Sequence, residues 1–163
     1  MTPLRRALFE PRRIALVGAS SDPSRLTARA QLYLRKHGFT GDILPVHPRE
    51  TEVLGERAYP SVADIPGPVD LAYILLNTRQ VEGAVEAVAA KGIPAACVLA
   101  DGFAEAGPEG AALQARLAAT ARRAGLSLLG PNSMGVVNLN ARIACSVNAA
   151  LEADGLPAGR LAL

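Results

Sequence analysis

A chain of 163 residues, half of them hydrophobic, holds one core of ordinary size and too little for two full domains. Low charge with high apolar content excludes disorder as the main state, and a formal net charge of +2 offers no electrostatic case for a nucleic-acid partner. No stretch reaches the ~18 uninterrupted apolar residues of a membrane span, so no membrane partner is expected. Cys97 and Cys145, the two cysteines, are far apart and form no Cys-x-x-Cys, which fits reduced thiols in a cytoplasmic protein. Residues 1–11 are basic and lack the apolar core of a signal peptide, so they are read as an N-terminal extension.

The first strong element is the apolar run Arg13–Val17, a strand ending at Gly18. Ala19 to Ser24 is turn-rich, and residues 25–37 read as a helix with Leu26, Ala30, Tyr33 and Leu34 on one face. Asp42–Val46 is a second strand in spite of Pro45; the stretch from Val53 to Ser61 is irregular and 64–68 is a loop. Leu71–Leu76 is continuously apolar, as a strand covered on both faces must be. Asn77 and Thr78 offer caps to a helix that carries Val81, Ala84, Val85 and Val88 inward as far as Lys91. A fourth strand spans 93–99, a helix spans 109–124 with Leu113, Leu117, Ala121 and Ala124 inward, and a fifth strand spans 126–129. Residues 143–147 read as a further strand and Leu161–Leu163 as the opening of another, as if the chain were part of a longer protein. Strands alternating with helices give an α/β fold: a Rossmann-like open, mainly parallel sheet with helices on both faces and the first strand central. The domain is placed at 12–150, and 151–163 begins a linker or a next domain.

A strand that runs through a glycine turn into a helix is suited to a phosphate, because glycine allows close backbone approach and free amides at the helix start stabilise anionic oxygens. Gly18, Ala19, Ser20 and Ser21 occupy that turn. The full dinucleotide fingerprint fails, because its second and third glycine positions are Ser20 and Pro23. At the end of the second strand an acidic residue would favour the ribose of NAD; the chain has His47, Pro48 and Arg49 instead. Arg49 suits a phosphate of either NADP or coenzyme A, or is a solvated surface arginine. In a parallel sheet the loops after strands three, four and five share the same edge, bringing Asn77-Thr78, Asp101-Gly102-Phe103-Ala104-Glu105 and Gly130-Pro131-Asn132-Ser133-Met134-Gly135 toward one crevice. Asp101 and Glu105 are better explained as turn and helix-start acids than as an acid–base pair. Phe39 and Phe103 read as packing residues, with Phe103 also near enough to a loop to touch a ligand. No nucleophile, metal set or general base emerges, so the residues by themselves describe a nucleotide-type binding domain with no catalytic set.

The ordered blocks Val17-Gly18-Ala19-Ser20-x-x-Pro23, Gly41–Pro48, Gly55-x-x-Ala58-Tyr59-Pro60-Ser61, Val69–Ala72, Gly102-Phe103-Ala104-Glu105-x-Gly107 and Gly130–Gly135 resemble the coenzyme A-binding domain of NDP-forming acyl-CoA synthetases. That group includes ADP-forming acetate–CoA ligases and is related to the alpha subunit of succinyl-CoA synthetase. The resemblance implies coenzyme A bound across the carboxyl edge. Gly18, Ala19 and Ser20 would cradle phosphate, His47-Pro48-Arg49 would lie near the adenosine end, Gly102 to Glu105 would border the pantetheine arm, and Asn132 and Ser133 would sit near the thiol. Two blocks depart from the family: Ser24-Arg25-Leu26-Thr27 replaces a Gly-Lys type segment, so that Arg25 takes a lysine's place, and Leu75-Leu76-Asn77 replaces a Val-Pro segment. The family reaction passes through an acyl phosphate, which the coenzyme A thiol attacks, and a phosphohistidine carried by the domain that follows. Neither His37 nor His47 matches that histidine, and the ATP-grasp part that binds nucleotide is absent from the 163 residues. The resemblance therefore implies a binding domain with no activity alone, working with downstream phosphohistidine and ATP-grasp domains of the same protein or a partner subunit. Two other readings remain open on the residues: a redox-sensing or regulatory module for NAD(P), and a coenzyme A-sensing domain of an acetyltransferase.

Overall fold

The structure, a computed structural model, describes residues 3–159, with Pro3 described by its backbone alone. The apolar run at Leu161–Leu163 lies outside the described residues. A short helix, α1 (Pro3–Phe9), precedes β1 (Arg13–Val17). There follow α2 (Arg29–Lys36), β2 (Asp42–Val46), a small hairpin of β3 (Glu52–Val53) and β4 (Glu56–Arg57), and β5 (Leu71–Ile74). Helix α3 (Thr78–Ala90), β6 (Ala95–Val98), α4 (Pro108–Ala124) and β7 (Ser127–Leu129) complete the main sheet. A second antiparallel hairpin, β8 (Gly135–Asn138) and β9 (Ile143–Ser146), ends the sequence of elements.

The five long-range strands pair in parallel in the order β2-β1-β5-β6-β7. Strand β1 is interior, as expected, but β5 and not β1 holds the middle place. The sheet is buried from both sides because each strand alternates its apolar residues between two cores. Ala15, Val17, Ala72 and Ile74 face α3 and α4 through Val81, Val85, Val88 and Leu117. Ile14, Leu16, Leu71 and Tyr73 face the opposite side, with Ala30, Leu34 and the hairpin residues Ile143 and Cys145. Each fully buried aliphatic side chain here contributes about 1.5–3 kcal/mol.

Three local expectations change. The helix after the glycine turn begins as a 3-10 turn at Leu26–Ala28 before α2. Its tighter winding turns Leu26 off the inner face, leaving it 48% exposed while Ala30, Tyr33 and Leu34 are buried. Ala124, at the last turn of α4, is exposed, because the chain doubles back at Gly125 and Leu126 takes the inward place, its amide donating to Ala121 O. The stretch taken as irregular between Val53 and Ser61 contains β3 and β4, and Tyr59 bridges to Val46 along the outer edge of β2.

Residues 149–156 pack back onto α2. Leu151 is buried against Tyr33 and Ala144, the Tyr33 hydroxyl donates to Glu152 Oε1 at 3.0 Å, and Lys36 pairs with Asp154 at 2.9 Å. His37, at the end of α2, places Nε2 2.9 Å from Leu151 O. No helix among the described residues is long and apolar enough to cross a membrane.

Candidate functional site

The order of the sheet places its switch point between β1 and β5, whose following connections lead to opposite faces. The loops after β1, β2, β5, β6 and β7 all leave the carboxyl edge, so the residues singled out in the sequence are brought to one rim. Backbone hydrogen bonds knit that rim together. Gly18 N donates to Val46 O, Leu75 N to Val17 O, Leu99 N to Ile74 O and Asn132 N to Ala100 O.

Gly18 (φ +90°) turns the chain off β1 directly over the segment that leaves β5. A Cβ at this position would lie 2.6 Å from Leu76 Cδ2, and the positive φ disfavours any side chain whatever the space. Leu76 is thus the residue under the glycine turn. Ser20 Oγ accepts from Asp22 N at 3.1 Å, and Asp22 Oδ1 accepts from Ser24 N and Ser24 Oγ at 3.0 and 2.7 Å. The Ser24 bonds, with the nearby Arg25 charge, hold the Asp22 carboxyl below its usual range. The amides of Ser20 and Ser21 meet no acceptor among the described residues and stand available to an anion, next to the start of the 26–36 helical stretch. The Arg25 side chain is exposed and pairs with Asp22 at 3.7 Å, while its amide donates to Asp22 O.

After β2, His47 Nδ1 accepts from Arg49 N at 3.3 Å and Glu50 N at 3.0 Å. The ring caps its own turn, with Pro48 and Arg49 exposed on the tip. After β5, Asn77 is the N-cap of α3 by position, yet its side-chain amide bonds Gln80 and not the helix backbone. Thr78 Oγ1 donates to Asp101 O at 2.8 Å, tying the β5 and β6 loops together beside Gly102.

In the β6 loop, Glu105 Oε1 accepts from Gly102 N at 2.7 Å and Phe103 N at 3.2 Å. Its own amide and that of Phe103 lead the causes holding the carboxyl below its usual range, outweighing a small desolvation cost. Glu105 is therefore a carboxylate that binds its own loop. Ala104 N donates to Gln114 Oε1 on α4 at 3.2 Å, and the Ala104 side chain is exposed. Phe103 is fully buried against the α3–α4 core, so its ring packs the interior and only its backbone lies at the loop. The β7 loop is built onto β5 and β6. Ser133 N donates to Val98 O, the Tyr73 hydroxyl donates to Ser133 O at 3.3 Å, and Cys97 Sγ lies 3.2 Å from Ser133 Oγ. Asn132 is exposed on this support, with φ +58°. Sequence reasoning placed these loops at one edge; it missed the bonds from Glu105, Thr78 and His47, which no spacing rule announces.

Burial pushes the Cys97 thiol up, partly offset by its bond to Ser133, and burial likewise pushes Cys145 and Tyr73 up. Both cysteines are free and buried. These groups support the rim without offering a nucleophile.

Residues 12–138 match the family described as CoA binding domain. The chain is 40% identical over 131 residues to the ADP-forming acetate–CoA ligase I of Archaeoglobus fulgidus, covering 80% of this chain and 19% of that protein. It is 37% identical over 135 residues to the alpha subunit of the ADP-forming acetate–CoA ligase II of Pyrococcus furiosus, covering 83% of this chain and 29% of the subunit. The chain thus spans about a fifth to three-tenths of the length of such curated relatives. Among solved structures, the dinucleotide-forming acetyl-coenzyme A synthetase 1 of Ca. Korarchaeum cryptofilum in complex with phosphate and ADP superposes with a TM-score of 0.83 at 33% identity, over 88% of this chain and 30% of that one. A hypothetical protein of Pyrococcus horikoshii OT3 superposes with a TM-score of 0.61 at 29% identity, over 79% of this chain and 84% of that one. The family match over residues 12–138, the identity to the acetate–CoA ligases and the superposed parallel sheet agree: the chain belongs to the CoA binding domain family and is homologous to the N-terminal part of ADP-forming acetyl-CoA synthetases.

Proposed function

We propose that the carboxyl edge binds coenzyme A and that this domain presents it to the rest of an NDP-forming acyl-CoA synthetase. The observation that carries the proposal is the convergence of the family's loop blocks on one rim, with the Ser20 and Ser21 amides free at the switch point. In this reading Gly18, Ala19, Ser20 and Ser21 hold phosphate, Arg25 adds a mobile positive charge, and His47, Pro48 and Arg49 form the turn at the adenosine end. Asn77, Thr78, Gly102, Ala104 and Glu105 border the pantetheine arm, where Phe103 contributes backbone only. Asn132 and Ser133 stand at the thiol end.

The whole reaction is acid, coenzyme A and NTP giving acyl-CoA, NDP and phosphate. This domain binds and orients the thiol, which attacks an acyl phosphate. The phosphohistidine and ATP-grasp domains come from the remainder of the protein or from a partner subunit, a division consistent with a relative that is itself named as an alpha subunit. The chain alone then has no ligase activity. The test is to titrate ¹⁵N-labelled protein with coenzyme A. Amide shifts concentrated at 18–25, 47–50, 102–105 and 132–133 support the proposal, and shifts centred on the amino edge of the sheet overturn it.

A further inference from the structure

A concavity lies at the other end of the sheet. A cleft of about 960 Å³ opens at the amino edge between the end of α1, the starts of β1 and β2, the turn at 39–41 and the far end of the β8–β9 hairpin. Arg6, Arg12 and Arg13 line it together with two acidic residues, Glu10 and Asp42.

The three arginines are not equivalent. Arg13 is committed to the fold, with Nε 2.9 Å from Asp42 Oδ2 and its Nη atoms on the carbonyls of Pro66 and Pro68. That pairing also neutralises Asp42. Arg12 is held by its backbone alone. Its amide donates to Asp70 Oδ2 at 2.8 Å and its carbonyl accepts from Asp42 N at 2.9 Å. Gly41 presses against the same carbonyl so closely that a Cβ there would collide with it. The Arg12 side chain is exposed, and neither it nor Arg6 has an acidic partner among the described residues. A rigid backbone that presents an unpaired guanidinium into a concave site has already met part of the ordering cost of binding. Asn138 and Asn140 spend their Nδ2 atoms on Phe9 O and Gly159 O, which fixes the far wall.

We propose that this cleft is a second binding site, for a small polyanion carrying phosphate or carboxylate groups, with Arg12 and Arg6 as its charged contacts. Arginine pairs with both anions in fork geometry, so the two ligand classes share one chemistry. Glu10 is the opposing charge left without a guanidinium bond in the cleft, and it weakens the site. The site is separate from the coenzyme A edge, so its test does not depend on that reading.

The experiment is an amide-resolved NMR titration of the ¹⁵N-labelled chain with sodium pyrophosphate and, in a second arm, with citrate, at physiological salt. The proposal expects saturable shifts at Thr40, Gly41 and Asn138 in at least one arm, and the arm that responds identifies the class. Arg12→Ala and Arg6→Ala should each weaken this response about tenfold, and Glu10→Gln should tighten it about threefold. Non-saturating shifts, a response confined to residues 18–25, or an Arg12→Ala affinity equal to that of the parent chain would overturn it.

Discussion

The Leu76 side chain lies directly beneath Gly18, 2.6 Å from the point a Cβ would occupy. This contact joins the loop after β1 to the loop after β5 at the switch point of the sheet. Gly18→Ala should cost about 1–2 kcal/mol in backbone strain, with crowding against Leu76 added. Urea unfolding measures the loss. In a Leu76→Ala background the crowding disappears and the backbone term remains, so the penalty of Gly18→Ala should shrink without vanishing.

In the β6 loop one carboxylate, Glu105, accepts from the Gly102 and Phe103 amides. Because Glu105 titrates below its ordinary value of 4.5, its bonds to the loop amides are fully present above that pH and are lost as pH falls through the lower, folded-state value. The Gly102 amide resonance should therefore move with a midpoint below 4.5 and stay constant from neutral pH upward. A midpoint at or above 4.5 contradicts the assignment, and Glu105→Gln should abolish the transition.

Most of the fold is legible in the residues, because buried parallel strands must be apolar and each is bounded by glycine or polar turns. Arg13–Val17, Leu71–Ile74 and Ala95–Val98 lie inside the runs the sequence marks, and α3 and α4 follow their apolar spacing. What escapes has weak local signals. Helix α1 carries two arginines in seven residues and packs by only part of its face; β3 and β4 are two residues each; β8 owes its existence to pairing with β9. Strand order is long-range and has no residue signature, which is why the first strand is expected where β5 stands. At the candidate site the glycine and serine positions are legible, because they answer a backbone need. The orienting bonds of Glu105, Thr78 and His47 are not, because each joins groups whose approach the fold decides.

Phe103 separates packing from ligand contact. Its ring is fully buried, so Phe103→Ala should cost about 3–5 kcal/mol of stability. Thermal unfolding checks this. A loss below 1 kcal/mol would place the ring outside the core, where a ligand role becomes the better account.

The buried thiols give a further check. Burial pushes both Cys97 and Cys145 up, so neither is a ready thiolate near neutral pH. With a thiol reagent at pH 8 the folded chain should react at less than about a twentieth of its rate in urea. Fast labelling of the folded chain would contradict the buried placement.

On the proposed function the carboxyl edge takes coenzyme A and not a nicotinamide dinucleotide. Isothermal titration of the chain with coenzyme A, with NADH and NADPH as parallel ligands, tests it most directly. Coenzyme A alone should bind saturably, and Arg49→Ala should weaken it about tenfold through loss of one phosphate contact. Saturable binding of a dinucleotide, with no heat from coenzyme A, would contradict it and leave the likeness to the synthetases one of fold.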